Sequence, residues 1–231
     1  MTILEQIKEF IAVIGLLPLV KKYFSKPIYY FVNLRFKMSS TSAINLLHEA
    51  IQESRSEVWL EFGSFLGAFR NNSIISHDFD IDFAVKSIND LVRLEKELLK
   101  RGFKLIRTIV LKSDNSLVEK TYSYKGAHVD FFVVKEDGRF FTTYDFSSIP
   151  GKTWGETINF IGGLRAHKNT FSKFDLEPIE FMGLNFMAPS KTDADKHLKE
   201  LYGDDYKVPN SKWSLDQRSI RILTKDVGLI K

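Results

Sequence analysis

The stretch HDFDIDFAV sets Asp78, Asp80 and Asp82 at alternate positions, with Phe79, Ile81 and Phe83 between and after them. Side chains alternate faces along a strand, so this period of two sends the carboxylates one way and the apolar residues the other. A chain with this pattern has to build a sheet with one apolar face and one face that gathers negative charge. Carboxylates so close repel one another, and the arrangement persists only if one binds a proton or a multivalent cation sits among them. A solvated, aggregation-resistant strand end is the plainer alternative.

Two further features favour the cation. Gly63-Ser64 falls between an expected buried strand, VWLEF (58–62), and an expected helix, SFLGAFR (64–70). Glycine lets a ligand approach the backbone, and helix-start N–H groups favour phosphate. Arg70 follows six residues beyond Ser64 and offers a forked cation to phosphate oxygens. Asp130 interrupts the apolar strand HVDFFVV (128–134), and an inserted carboxylate needs a partner. If that strand lies beside DFDIDFAV (78–85), Asp130 joins Asp80 and Asp82 in a site for one or two divalent ions. An oxygen-only ligand set suits a hard ion: Mg²⁺, with Mn²⁺ or Ca²⁺ as alternatives. The absence of Cys excludes thiolate zinc sites, disulfides and a cysteine nucleophile.

Around this centre the sequence reads as α/β (α+β), a mixed sheet flanked by helices, preceded by an N-terminal amphipathic segment. Apolar residues at Ile3, Ile7, Phe10, Ile11, Ile14 and Leu17 have helical period, and Pro18 interrupts the run. The segment either lies in a membrane interface or packs on the domain or a second subunit. MSSTS (38–42) reads as a linker, dividing an N-terminal segment, 1–37, from a catalytic domain, 38–231. Beyond it the pattern predicts a helix over 43–57, another after the Ser87 cap up to Gly102, and strands KLIRTIVL, LVEKTYSY, HVDFFVV and RFFTTYDF. Lys125-Gly126 predicts a hairpin turn. A strand near IEFMGLNFMAP, a helix over 193–202, loops and a charged tail complete the reading. The net charge of +4 is spread along the chain apart from Lys21, Lys22, Lys26, Arg35 and Lys37. No nucleic-acid partner is expected; that local cluster suits anionic lipid, a phosphorylated substrate or plain solvent. Lys120, on the strand before Asp130, is a further candidate for binding phosphate, and His77, beside the acidic run, for substrate.

Gly63-Ser64, Leu66-Gly67-Ala68, Arg70, Ile74-Ile75 and the acidic run Asp78 to Asp82 together closely resemble the opening motif of the LicD/fukutin family. Glu180-Phe181, Gly183, Pro189, Leu198, Tyr202 to Tyr206 and Pro209 are similar to its closing signature. Ser76-His77 stands where many members carry Pro-Trp, and Phe79 replaces a frequent acidic residue. The resemblance implies a nucleotidyltransferase fold and transfer of phosphocholine or a polyol phosphate. The donor would be CDP-linked, and the acceptor a hydroxyl of a cell-surface glycan, as in capsule or lipopolysaccharide, or of its lipid-linked precursor. By that analogy Asp80, Asp82 and Asp130 bind metal, Gly63 and Ser64 hold donor phosphate, and Arg70 neutralises the leaving nucleotide. Asp130 is also the candidate base, while Asp78, Tyr202 and Asp205 contact substrate. The implied location is cytoplasmic, peripheral at the inner face of the plasma membrane. Two competing readings are an antibiotic-type nucleotidyltransferase that uses NTP and an inactive membrane-associated scaffold.

Overall fold

The computed structural model describes residues 17–76, 78–210 and 213–231, with side chains from residue 34 onward. The helix expected before residue 17, and His77, lie outside the described residues. Helix α1 (Leu17–Ser54) runs unbroken through MSSTS, the expected linker. Phe36, Ser39, Ser40, Ala43, Ile44, Leu47 and Ala50 are all buried, and their spacing of three to four residues makes one helical stripe. Tertiary packing on that stripe overrides the turn preference of the serines. Ser39 Oγ donates to the Lys125 carbonyl (2.9 Å) rather than capping a new helix. Among the described residues no helix is long and apolar enough to cross a membrane.

After α1 come β1 (Val58–Leu60), α2 (Phe62–Asn71), β2 (Asp80–Val85), α3 (Ile88–Lys100), β3 (Lys104–Leu111), β4 (Leu117–Tyr124) and β5 (Ala127–Val133). Then follow β6 (Lys135–Asp137), β7 (Phe140–Ser147), α4 (Trp154–Ile161), β8 (Leu164–Ser172), β9 (Leu176–Phe181), β10 (Leu184–Pro189), α5 (Lys191–Tyr202) and β11 (Arg221–Ile230). Nine strands form one mixed sheet in the order β1-β2-β5-β4-β3-β11-β8-β7-β6, and β9 and β10 form a separate hairpin. Among the described residues only β2 and β5 run parallel, which α3, β3 and β4 make possible by carrying the chain back across the sheet. Ser87 Oγ caps α3 by accepting from the Asp90 N–H (3.1 Å), and Leu91, Leu94 and Leu98 bury its inner face. Lys125 and Gly126 have φ of +49° and +99°, as a two-residue hairpin turn with both central residues left-handed requires.

The region read as loops and a charged tail instead supplies α4, β8 and β11, and β11 enters the sheet between β3 and β8. Gly228 makes that entry possible: a Cβ there would lie 2.3 Å from the Phe146 ring. IEFMGLNFMAP forms a hairpin rather than one strand, turning at Met182 and Gly183 with φ of +55° and +80°. The large sheet curls, because Trp59 and Ala84 from one end of the strand order pack with Phe141, Phe171 and Phe174 from the other. A cavity of about 390 Å³ lies inside that curl, at the end of the sheet where β2 begins.

Candidate active site

The in-register pairing of β2 with β5 sets Asp82 directly beside Asp130 and Asp80 beside His128. One carboxylate oxygen from each of Asp80, Asp82 and Asp130 lies within 4.8 Å of the others, so the sequence-predicted trio converges. Asp78, just ahead of the strand, lines the same cavity. Protein atoms crowd the Asp80 carboxyl although the residue has an exposed edge. That burial, followed by Asp130 and Asp78, pushes it up to about 6. Asp82 is raised well above the usual carboxylate range, first by burial and then by Asp80, Asp130 and Asp78. Mutual repulsion of this kind is what a bound cation relieves, and the all-oxygen set fits Mg²⁺ or Mn²⁺.

The glycine-serine pair opens α2 and is tied to β2 rather than left free. Gly63 N–H donates to Asp82 Oδ2 (3.2 Å), and Ser64 Oγ accepts from the Asp82 N–H (2.8 Å). Ser64 is buried, and its hydroxyl oxygen braces the strand. Gly63 lets the carboxylates come close: a Cβ there would meet Asp78 Oδ2 at 2.7 Å and Asp82 Oδ2 at 3.4 Å, so a side chain at this position would displace the Asp78 carboxylate. Phe62, next to it, holds φ +46°, a left-handed conformation that costs a non-glycine residue of order 1–3 kcal/mol and concentrates at functional turns.

Asp130 is held from the neighbouring strands. Its Oδ1 accepts from Thr121 Oγ1 on β4 and from Arg107 Nη2 on β3 (3.3 Å), which leaves Oδ2 for a cation or a proton. Arg107 also grips the buried Glu119 (2.7 Å), whose carboxyl burial and Asp130 push up to about 7. Arg107, Glu119 and Thr121 were missed in the sequence, yet a signal existed. The Lys125-Gly126 turn fixes Tyr124 opposite Ala127, hence Thr121 opposite Asp130. The same register puts Lys120 on the other face, where it pairs with Glu95 of α3. Lys120 therefore does not reach the site, which corrects the phosphate-binding expectation for it.

Arg70 lines the cavity, but its Nη2 donates to the backbone carbonyls of Tyr206 and Val208 (the latter at 3.3 Å). It fastens the closing signature over the site. Tyr202 and Asp205 line the cavity as well, and burial raises the Tyr202 phenol above its ordinary range. Tyr206 completes the fastening through its hydroxyl, which donates to Asp195 (2.8 Å). Asp145, Trp213 and Arg218 also line the cavity; no motif or spacing pointed to them. Beneath α2, the buried Glu61 accepts from Trp59 Nε1 (2.8 Å) and lies 2.6 Å from His197 Nε2 of α5, locking three elements that frame the site.

The raised carboxyls make stability depend on pH. A carboxyl whose folded pKa exceeds its unfolded value holds a proton that unfolding releases, so its contribution is present at low pH and lost as pH rises. For Asp80 and Glu119 that loss falls between about pH 4 and 7. His167, lowered by burial, acts in the opposite sense, so the informative readout is the difference between metal-loaded and chelated protein. The increase in Tm on adding Mg²⁺ is expected to be larger at pH 8 than at pH 5. An increase that is equal or larger at pH 5 contradicts the repulsion described here.

No curated protein matches the chain. The family model described as LicD/FKTN/FKRP, nucleotidyltransferase domain, matches residues 55–191. That span contains α2, the acidic strand β2 and Asp130, whereas Tyr202 to Pro209 fall beyond it. With more than half of its length matched, and with the motif carboxylates gathered at one cavity, the chain belongs to the LicD/FKTN/FKRP nucleotidyltransferase-domain family.

Proposed function

We propose that this protein is a metal-dependent transferase that moves a substituted phosphate, phosphocholine or a polyol phosphate, from a CDP-activated donor. The acceptor is a hydroxyl of a cell-surface glycan or of its lipid-linked precursor, and the enzyme works on the cytoplasmic side, beside the membrane that holds such a precursor. The observation that carries the reading is the approach of Asp80, Asp82 and Asp130 to within 4.8 Å of one another in a family whose fold handles nucleotides. Asp80, Asp82 and the free Oδ2 of Asp130 would hold Mg²⁺, or Mn²⁺ in its place. When bound, the ion supplies charge neutralisation at the transferring phosphoryl group. Gly63 keeps the approach to the carboxylates open, and Thr121 with Arg107 holds Asp130 in one orientation. The curled sheet and the closing loop fastened by Arg70 border the cavity and partly desolvate its carboxylates, and fixed charges act more strongly there than in open water.

Release of CMP from CDP-choline, CDP-glycerol and CDP-ribitol with Mg²⁺ and a glycan acceptor tests this. One of the donors is expected to turn over, with its phosphate ester recovered on the acceptor. Consumption of NTP with nucleotide left on the acceptor, and no CMP from any CDP donor, would instead establish the antibiotic-type chemistry.

A further inference from the structure

Arg218 lies beyond the span matched to the family and outside every motif named above. It is 4% exposed and lines the same cavity as the carboxylates. Its guanidinium stands over Phe62 at 4.5 Å, Trp213 at 5.7 Å and Tyr202 at 5.8 Å from the ring centres. Three rings fix the plane of the guanidinium but supply no acceptor. Among the described residues its ion pairing is a single 4.0 Å approach to Asp145 Oδ2, and its Nε has no hydrogen-bond partner. Asp145 is otherwise satisfied, accepting from Arg221 Nε and from Asn169 Nδ2, both at 2.8 Å. A guanidinium stays charged and carries five N–H donors. Burying one so poorly paired is unfavourable unless something else completes it.

Charge in the cavity says what that completion is. Asp78, Asp80, Asp82, Asp130, Asp145 and Asp205 all line it, and among the described residues the cationic side chains that line it are Arg70 and Arg218. Arg70 is engaged with the Tyr206 and Val208 carbonyls. A diphosphate entering so acidic a cavity needs a cation beyond the one the carboxylates hold. Both arginines keep an unpaired Nε, but Arg70 is anchored through Nη2 to two carbonyls, whereas Arg218 has, among the described residues, the 4.0 Å approach to Asp145 alone.

We propose that Arg218 binds the phosphate of the donor that leaves with the nucleoside; this rests on the reading of the donor as a nucleoside diphosphate ester. In the transfer, the acceptor hydroxyl oxygen bonds to the distal phosphorus and its proton passes to a cavity carboxylate. The bond from that phosphorus to the bridging oxygen breaks, and the oxygen departs on CMP with the electron pair. Arg218 offsets the charge that appears there. It is a binding residue supplied by the C-terminal segment, so nucleotide affinity depends on that segment being seated.

Calorimetric titration with Mg²⁺ present tests this, using CDP, cytidine and inorganic pyrophosphate on the wild type, Arg218→Gln and Arg218→Lys. Arg218→Gln is expected to weaken CDP and pyrophosphate by about 10- to 100-fold, the scale of a charge-assisted hydrogen bond. Cytidine and Mg²⁺ alone should bind as before. Arg218→Lys keeps a charge without the fork and should lie between, with the CDP-to-cytidine affinity ratio still reduced; it carries the test if the glutamine variant does not fold. A ratio unchanged in the folded variant, with all ligands weakened alike, assigns Arg218 to packing and overturns the proposal. Wild type that binds pyrophosphate but not CDP removes the cytidine donor and leaves Arg218 tested on pyrophosphate. Wild type that binds neither overturns both.

Discussion

Asp82→Ala is expected to lower donor turnover by on the order of 10³-fold or more while leaving the metal-free protein folded. The magnitude follows from the role: a group that fixes the ion loses most of the electrostatic stabilisation of the transferring phosphoryl group, where a single oxyanion donor is already worth about 10²- to 10³-fold. The opposite sign in stability follows from the surroundings. Asp82 is raised by burial and by three neighbouring carboxylates, so its removal relieves repulsion at neutral pH. Its favourable contact is the Gly63 N–H (3.2 Å), worth about 1 kcal/mol. Loss of function without loss of fold is the mark of a site that trades stability for chemistry. CMP-release assays paired with thermal melts in chelator check both halves. A variant that keeps wild-type turnover, or one that loses activity only because it unfolds, contradicts the assignment.

The largest loss of stability is expected at Glu61→Ala, about 3–5 kcal/mol. Glu61 is fully buried and serves Trp59 Nε1, His197 Nε2 and the Phe62 N–H that starts α2. Truncation strands those groups where water does not reach, and an unsatisfied buried group costs more than a hydrogen bond returns. Against a total stability of roughly 5–15 kcal/mol, this takes much of the margin. Glu61→Gln still accepts from Trp59 and should cost about 1–2 kcal/mol. Urea unfolding followed at constant m separates the two. A midpoint for the alanine variant close to that of wild type would show that the network contributes little.

The sequence made the acidic strand legible because its period of two has only one structural meaning, and the apolar strand around Asp130 could be paired with it on the same logic. The Ser87 cap and the Lys125-Gly126 turn were legible for local reasons, since each is decided by the chemistry of a few adjacent residues. The turn contained more than the first reading used. Its register alone places Thr121 and Glu119 on the face of Asp130 and turns Lys120 away. MSSTS misled because local turn preference competes with a buried stripe from Phe36 to Ala50, and burial outweighs propensity. The strands β8 and β11 were hidden by polar residues whose partners lie far along the chain, as when Asn169 Nδ2 and Arg221 Nε donate to Asp145. Arg218 and Asp145 reach the cavity only because the sheet curls, a property no short window contains.

The most direct test is an anomalous difference map from crystals grown with Mn²⁺. A peak is expected about 2.0–2.6 Å from oxygens of Asp80, Asp82 and Asp130, the range of hard-cation coordination, and it should vanish in Asp82→Ala. An ordered cavity without a peak between those carboxylates, at saturating metal and neutral pH, would contradict the account.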